Sequence, residues 1–129
     1  MPPLPDSDLL VVVDFEFDRG LLYVVVRNIG QAPALGVSTT FDKAFRGLGG
    51  RREMNALGLF RRIEFLGPGR ELRTLLDSSA AYFARDEPTL LTATVAYRTA
   101  GGERRKHAIT HDLSIFRDLA YVPEGETDA

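Results

Sequence analysis

Apolar and polar residues alternate with a period of two over several short stretches of this chain. In residues 9–17 the odd positions Leu9, Val11, Val13, Phe15 and Phe17 are apolar, while Asp14 and Glu16 fall between them. Successive side chains of a strand point to opposite faces, so this stretch is expected to be a strand with one face on a core. Asp18-Arg19-Gly20 reads as a short hairpin loop, with Gly20 supplying a left-handed position. The run Tyr23-Val24-Val25-Val26-Arg27 is the next strand, because β-branched residues pack well on a pleated surface and lose rotamer freedom in a helix. Arg27 assigns Leu22, Val24 and Val26 to the core side. Asn28-Ile29-Gly30 and then Pro33 form a constrained corner, since Asn bonds local backbone, Gly accepts positive φ and Pro removes a donor. Residues 35–41 alternate again, with Leu35, Val37, Thr39 and Phe41 expected inward.

Residues 42–57 have no clear period and contain Gly47-Leu48-Gly49-Gly50 followed by Arg51-Arg52. Connections of this length are uncommon in compact domains unless functional or mobile. Residues 59–66 return to strand character, with Ile63 and Phe65 expected inward; Gly67-Pro68-Gly69 is a turn and 71–76 a fifth strand. Asp77-Ser78-Ser79 is placed to cap one helical turn over 80–84, with Tyr82 or Phe83 plugging the core. Residues 89–99 form a long strand with Leu91, Ala93, Val95 and Tyr97 on one face, and Ala100-Gly101-Gly102 turns the chain into a last strand over 103–116. Seven strands joined by short turns predict an all-β fold, a two-sheet antiparallel sandwich, with a small barrel as the rival. The expected boundaries are a flexible leader over 1–8, the sandwich over 9–118 and an acidic tail over 119–129.

Composition narrows the function classes. A chain of 129 residues with 44% hydrophobic and 26% charged residues is globular and fits one domain. There is no cysteine, which removes disulfides, thiolate nucleophiles and Cys-based zinc sites and fits a reducing, cytoplasmic setting. The longest apolar run, 9–13, is far short of the ~20 residues of a membrane helix, and no signal-like segment opens the chain, so no membrane insertion is expected. The net charge of −2 points to no nucleic-acid partner, but charge is segregated. Residues 43–73 hold eight bases (Lys43, Arg46, Arg51, Arg52, Arg61, Arg62, Arg70, Arg73) against three acids (Glu53, Glu64, Glu71), whereas residues 1–18 hold five acids and no base.

The order Val26-Arg27-Asn28-Ile29-Gly30-Gln31-Ala32-Pro33-Ala34-Leu35-Gly36-Val37 resembles the second-to-third-strand corner of bacterial immunoglobulin-like and fibronectin-type-III-like domains, including the CARDB group. Leu66-Gly67-Pro68-Gly69-Arg70-Glu71 is similar to their L-x-P-G-E turn. Val95-Ala96-Tyr97-Arg98-Thr99-Ala100-Gly101-Gly102, with His111-Asp112-Leu113-Ser114, is similar to their closing hairpin. The resemblance spans roughly residues 9–117. It implies an immunoglobulin-like sandwich of the kind used as a non-catalytic spacer or interaction module, and it carries over no site, since the cysteines and strand tryptophan of antibody-like domains are missing.

The side chains that carry chemistry are few. His107 and His111, four apart on a strand, share a face but lie about 13 Å apart, too far to hold one metal, so no metal site is expected. Ser78, Ser79 and Ser114 lack the strained G-x-S-x-G turn of a nucleophile elbow. The 47–52 glycine-arginine segment matches neither G-x-x-x-x-G-K-S/T nor G-x-G-x-x-G, which leaves a solvated loop or a contact loop for an acidic partner. Of Arg61 and Arg62, neighbours on a strand, at most one is expected to extend that basic surface. Leu57, Leu59 and Phe60 are assigned to the core before an interface, and Asp14 and Glu16 to a solvated face before paired acid chemistry.

The resulting expectation is a non-enzymatic protein-protein interaction or structural module without cofactor. Its contact surface is placed on Lys43, Arg46, Arg51, Arg52, Arg61 and Arg62 and the adjoining edge strand. The partner is expected to be another protein, with an acidic surface, or a second copy joined through edge strands. The alternative is anion or nucleic-acid binding through the same arginines, against which the near-neutral total charge weighs.

Overall fold

A computed structural model describes residues 9–119. The leader expected over 1–8, and the tail beyond Leu119, lie outside the described residues. β1 (Val11–Asp18) and β2 (Leu21–Asn28) form a hairpin in which Val11 stands opposite Asn28 and Asp18 opposite Leu21. Its two-residue turn has φ of 52° at Arg19 and 82° at Gly20, the pair of positive angles that matches the twist of the strands it joins. β7 (Glu71–Ser78) pairs with the far side of β2 to complete a three-stranded sheet, β1-β2-β7. The second sheet runs β6-β3-β8-β9, from β6 (Ile63–Leu66), β3 (Ala34–Phe41), β8 (Leu90–Thr99) and β9 (Arg104–Asp112), and every pairing is antiparallel.

A third ladder joins two-residue strands β4 (Arg46–Gly47) and β5 (Arg52–Glu53) within the 42–57 stretch. The described chain therefore has nine strands where seven were expected. The two additions are too short to produce a visible alternation.

The sheets pack face to face as an all-β sandwich. Val11, Val13 and Phe15 of β1, Leu22, Val24 and Val26 of β2, and Leu91, Ala93, Val95 and Tyr97 of β8 are buried between them, each on the face its alternation predicts. α2 (Ser79–Ala84) closes one end. Ser78 caps it by accepting from the Ala81 amide at 3.1 Å, and the fully buried Tyr82 donates its hydroxyl to the Pro88 carbonyl at 2.6 Å. Burial pushes the Tyr82 pKa far up, so the phenol stays a donor. The border strands β1 and β9 are joined by a side chain, His111 Nε2 lying 2.7 Å from the Val13 carbonyl oxygen, where a closed barrel would continue a ladder.

Three expectations need correction. Alternation places Leu35 and Phe65 inward, yet Phe65 is 63% exposed and Leu35 stands directly opposite both Phe65 and the exposed Arg98. The cause is a bulge: Leu35 faces Arg98 and Ser38 faces Ala96, so Gly36 and Val37 together stand opposite Tyr97. The extra residue inverts the alternation on one side of it. Val37 and Thr39 still face the core, and Ala34 and Leu66 take the inward places. Secondly, the strand expected over 59–66 begins only at Ile63, because Gly58–Arg61 is a helical turn, α1, that buries Phe60. Thirdly, the last strand ends at Asp112. Its carboxylate accepts from the Ser114 amide at 3.0 Å and from the Ser114 hydroxyl at 2.6 Å, and the chain turns into a 3₁₀ helix, Leu113–Asp118.

Candidate functional site

The 42–57 stretch is ordered by its own side chains and by the sheet beneath. Phe45 and Met54 are buried, and the Met54 amide donates to the Phe45 carbonyl at 3.1 Å. Asn55 staples the base by accepting from the Phe45 amide at 2.9 Å and donating to the Lys43 carbonyl at 3.0 Å. At the tip Gly47 packs so closely on β7 that a Cβ there would collide with the Leu76 carbonyl oxygen.

The tip is also held by a charged network. Asp77, 4% exposed, accepts from the Gly49 amide at 3.0 Å and pairs with Arg85 Nη1 at 2.9 Å. Arg85 donates through Nη2 to the Arg46 carbonyl at 3.0 Å, and Glu87 accepts from the Arg46 amide at 2.9 Å. Partial burial opposes the charge on Arg85, but Asp77 and Glu87 outweigh it and raise its pKa. A loop whose backbone polar groups are satisfied in this way presents a fixed surface.

The six basic residues singled out in the sequence fall into separate places. Arg46 and Arg51 are exposed on the β4–β5 hairpin, while Arg52 is half-buried with Nη1 3.3 Å from the Leu75 carbonyl oxygen. Lys43 Nζ donates to the Leu90 carbonyl at 2.6 Å, at the start of β8. Arg61 ends α1 and is exposed. Arg62 pairs with Glu64 and lies over Gly36, on the same cavity as Arg98 near the end of β8. The eight residue steps from Leu90 to Arg98 span about 26 Å of strand, so Lys43 and Arg62 do not share a patch.

Arg98, Arg104 and Lys106 form a cluster that the linear sequence does not display, because Arg98 lies on β8 and the run Arg104-Arg105-Lys106 on β9. The Ala100-Gly101-Gly102 turn was the available signal: it sets the register that puts Arg98 opposite Arg104.

The remaining candidates make local contacts within the sandwich. Glu16 is 2.8 Å from Arg27 Nη2 and 3.6 Å from Arg73 Nε, and the Arg73 guanidinium stacks 3.6 Å above the Tyr23 ring. These residues form a solvent-facing ion network on the β1-β2-β7 sheet. Asp14 Oδ1 is 3.9 Å from His111 Nδ1, and the His107 ring lies 6.0 Å from that of Tyr97. Ser78 is a helix cap and Ser114 is bound to Asp112. Leu57 and Leu59 pack against the core around Phe60. Among the described residues no three His, Asp or Glu side chains gather in a way that would hold a metal ion.

Residues 6–117 match the profile of a family described as a domain of unknown function, DUF8453. The chain belongs to that family. No curated protein and no solved structure matches it. The matched span of this DUF8453 chain takes in both sheets, the 42–57 stretch and the β8–β9 hairpin, so the basic clusters lie inside the family's domain. None of its helices among the described residues is long and apolar enough to cross a membrane.

Proposed function

We propose that this DUF8453 domain is a non-catalytic, immunoglobulin-like interaction module of the cytoplasm that binds another protein through the 43–62 segment and the adjoining edge strand β6. The observation that carries the reading is Phe65, 63% exposed on a strand at the border of its sheet and directly downstream of Arg61 and Arg62. Aromatic and arginine side chains are enriched at protein interfaces, where a ring fills a pocket and a guanidinium forks onto carboxylates. The open edge of β6 adds unpaired backbone groups that a partner strand can meet. Arg46 and Arg51, held on a fixed hairpin, favour a partner with an acidic surface.

Affinity capture from the source organism tests the proposal, with wild type compared against Phe65→Asp and against Arg46→Glu/Arg51→Glu. A protein retained by wild type and lost from both variants supports it. Equal recovery by all three removes this surface as the contact. Self-association is the competing use of the same edge; wild type that sediments as a dimer, with Phe65→Asp a monomer, would make a second copy the partner.

A further inference from the structure

A second cluster of positive charge lies on the outer face of the β6-β3-β8-β9 sheet. Arg98 and Arg104 are direct cross-strand partners, and Lys106, two residues further along β9, is diagonal to Arg98 at roughly 7–8 Å. Arg62 reaches the same place from the start of β6, over the bulge at Gly36. All four cations are exposed.

Like charges set directly opposite each other destabilise a sheet. Glu64 is the carboxylate paired with Arg62. Its hydrogen bond to Arg62, then the Arg62 charge and more weakly Arg98, hold its pKa below the usual range. Among the described residues Arg98, Arg104 and Lys106 form no ion pair of their own. Glu64 thus answers Arg62 and, more weakly, Arg98, while Arg104 and Lys106 add further positive charge beside them.

The cluster has a shape as well as a charge. A cavity of about 370 Å³ opens there, within the range of roughly 300–1,000 Å³ common for small-molecule sites. Gly36 and Ala96 line it with almost no side chain, and the long cationic side chains border it. The charge is also confined to one end of the sheet. Beyond Lys106 the outer positions become Ala108 and Thr110 on β9, facing Thr94 and Thr92 on β8, and the two hydroxyls of Thr92 and Thr110 bond each other at 2.8 Å. An extended polyanion would leave the positive surface after a few ångströms, whereas a compact one is surrounded by it.

We propose that this face is a binding site for a compact phosphate-class polyanion, held by Arg98, Arg104 and Lys106 with Arg62 closing the β6 side. Guanidinium forks match phosphate oxygens in pairs, and Lys106 adds a point charge. The anion relieves the repulsion between Arg98 and Arg104. The site goes beyond the proposed protein contact and shares only Arg62 with it, so its test is built on the other residues.

Calorimetric titration at low salt with pyrophosphate and tripolyphosphate, on wild type and on Arg104→Gln/Lys106→Gln, tests the site. Arg19→Asn serves as the control, since it removes one charge from a remote turn and suits the left-handed backbone there. Circular dichroism establishes that each variant is folded. Saturable binding by wild type and the control, weakened about tenfold or more in the double variant, is the expected result. Absence of binding by wild type, or equal binding by the double variant, overturns the proposal. Tighter binding of single-stranded oligothymidylate that grows with its length also overturns it, in favour of a nucleic-acid surface. Loss of anion binding while protein capture persists, or the reverse, separates the two readings.

Discussion

The guanidinium of Arg62 lies over the backbone of Gly36, where an added Cβ would stand 3.1 Å from Nη2. Gly36 has φ of 58°, in the left-handed region, and it sits in the bulge that turns Leu35 and Phe65 outward. One glycine therefore inverts the face of a strand end and leaves room for a cation beside it.

Gly36→Ala is expected to lower stability by about 1–2 kcal/mol through backbone strain, and by more if Arg62 cannot shift. Urea denaturation with unchanged slope reads this. Gly49→Ala, at φ 71° with no atom within 4 Å of the added Cβ, isolates the strain alone. A Gly36→Ala protein as stable as wild type would contradict the bulge geometry.

Arg85→Met leaves Asp77 buried with only its amide donors, Gly49 and Ser78, and is expected to cost about 2–4 kcal/mol. The loss has a location. Amide hydrogen exchange should speed up over residues 45–54, which Arg85 ties to the sheet, while β8 and β9 amides keep their order of protection. Uniform acceleration across the chain would mean that the hairpin is not held by this network.

Asn28 is fully buried at the end of β2, where Nδ2 donates to the Ala32 and Leu66 carbonyls at 2.9 and 3.0 Å and Oδ1 accepts from the Gly30 amide at 2.9 Å. Asn28→Ala strands three backbone groups and is expected to destabilise by roughly 2–4 kcal/mol. Asn28→Asp reverses the donor toward two carbonyls, so it should be no better near neutral pH. Thermal melts of both variants check this.

Ser114 holds the Asp112 carboxyl below its ordinary value, chiefly by hydrogen bonds from its hydroxyl and then its amide. The folded state therefore takes up this proton less readily than the unfolded chain. The contribution is fully present above the ordinary carboxylate pKa and disappears as pH falls through the depressed one. Carboxyl carbon shifts followed by NMR should show Asp112 titrating below ordinary aspartate. In Ser114→Ala its midpoint should rise, and the 3₁₀ segment Leu113–Asp118 should exchange faster.

Much of the fold was legible because burial and alternation coincide. The inward residues of β1, β2 and β8 followed from period two, and the Ser78 cap and the Asn28 corner followed from residue chemistry. Leu35 and Phe65 were misplaced because a bulge is one glycine in an otherwise regular strand, and alternation cannot report which side of it has flipped. The basic loop was legible as a run of arginines, but the order of its tip was not, since that comes from Asp77 and Arg85, far away in sequence. Arg98 meets Arg104 and Lys106 only through strand register.

Contact of the 43–62 segment and β6 with a protein partner can be read by photo-crosslinking in cells, with a benzophenone amino acid placed at Phe65, at Arg51 and at Val12 on the opposite sheet. Crosslinks from positions 65 and 51 to one and the same protein, with none from position 12, are expected. Crosslinks from position 12 alone, or from none of the three, would rule out this surface as the contact.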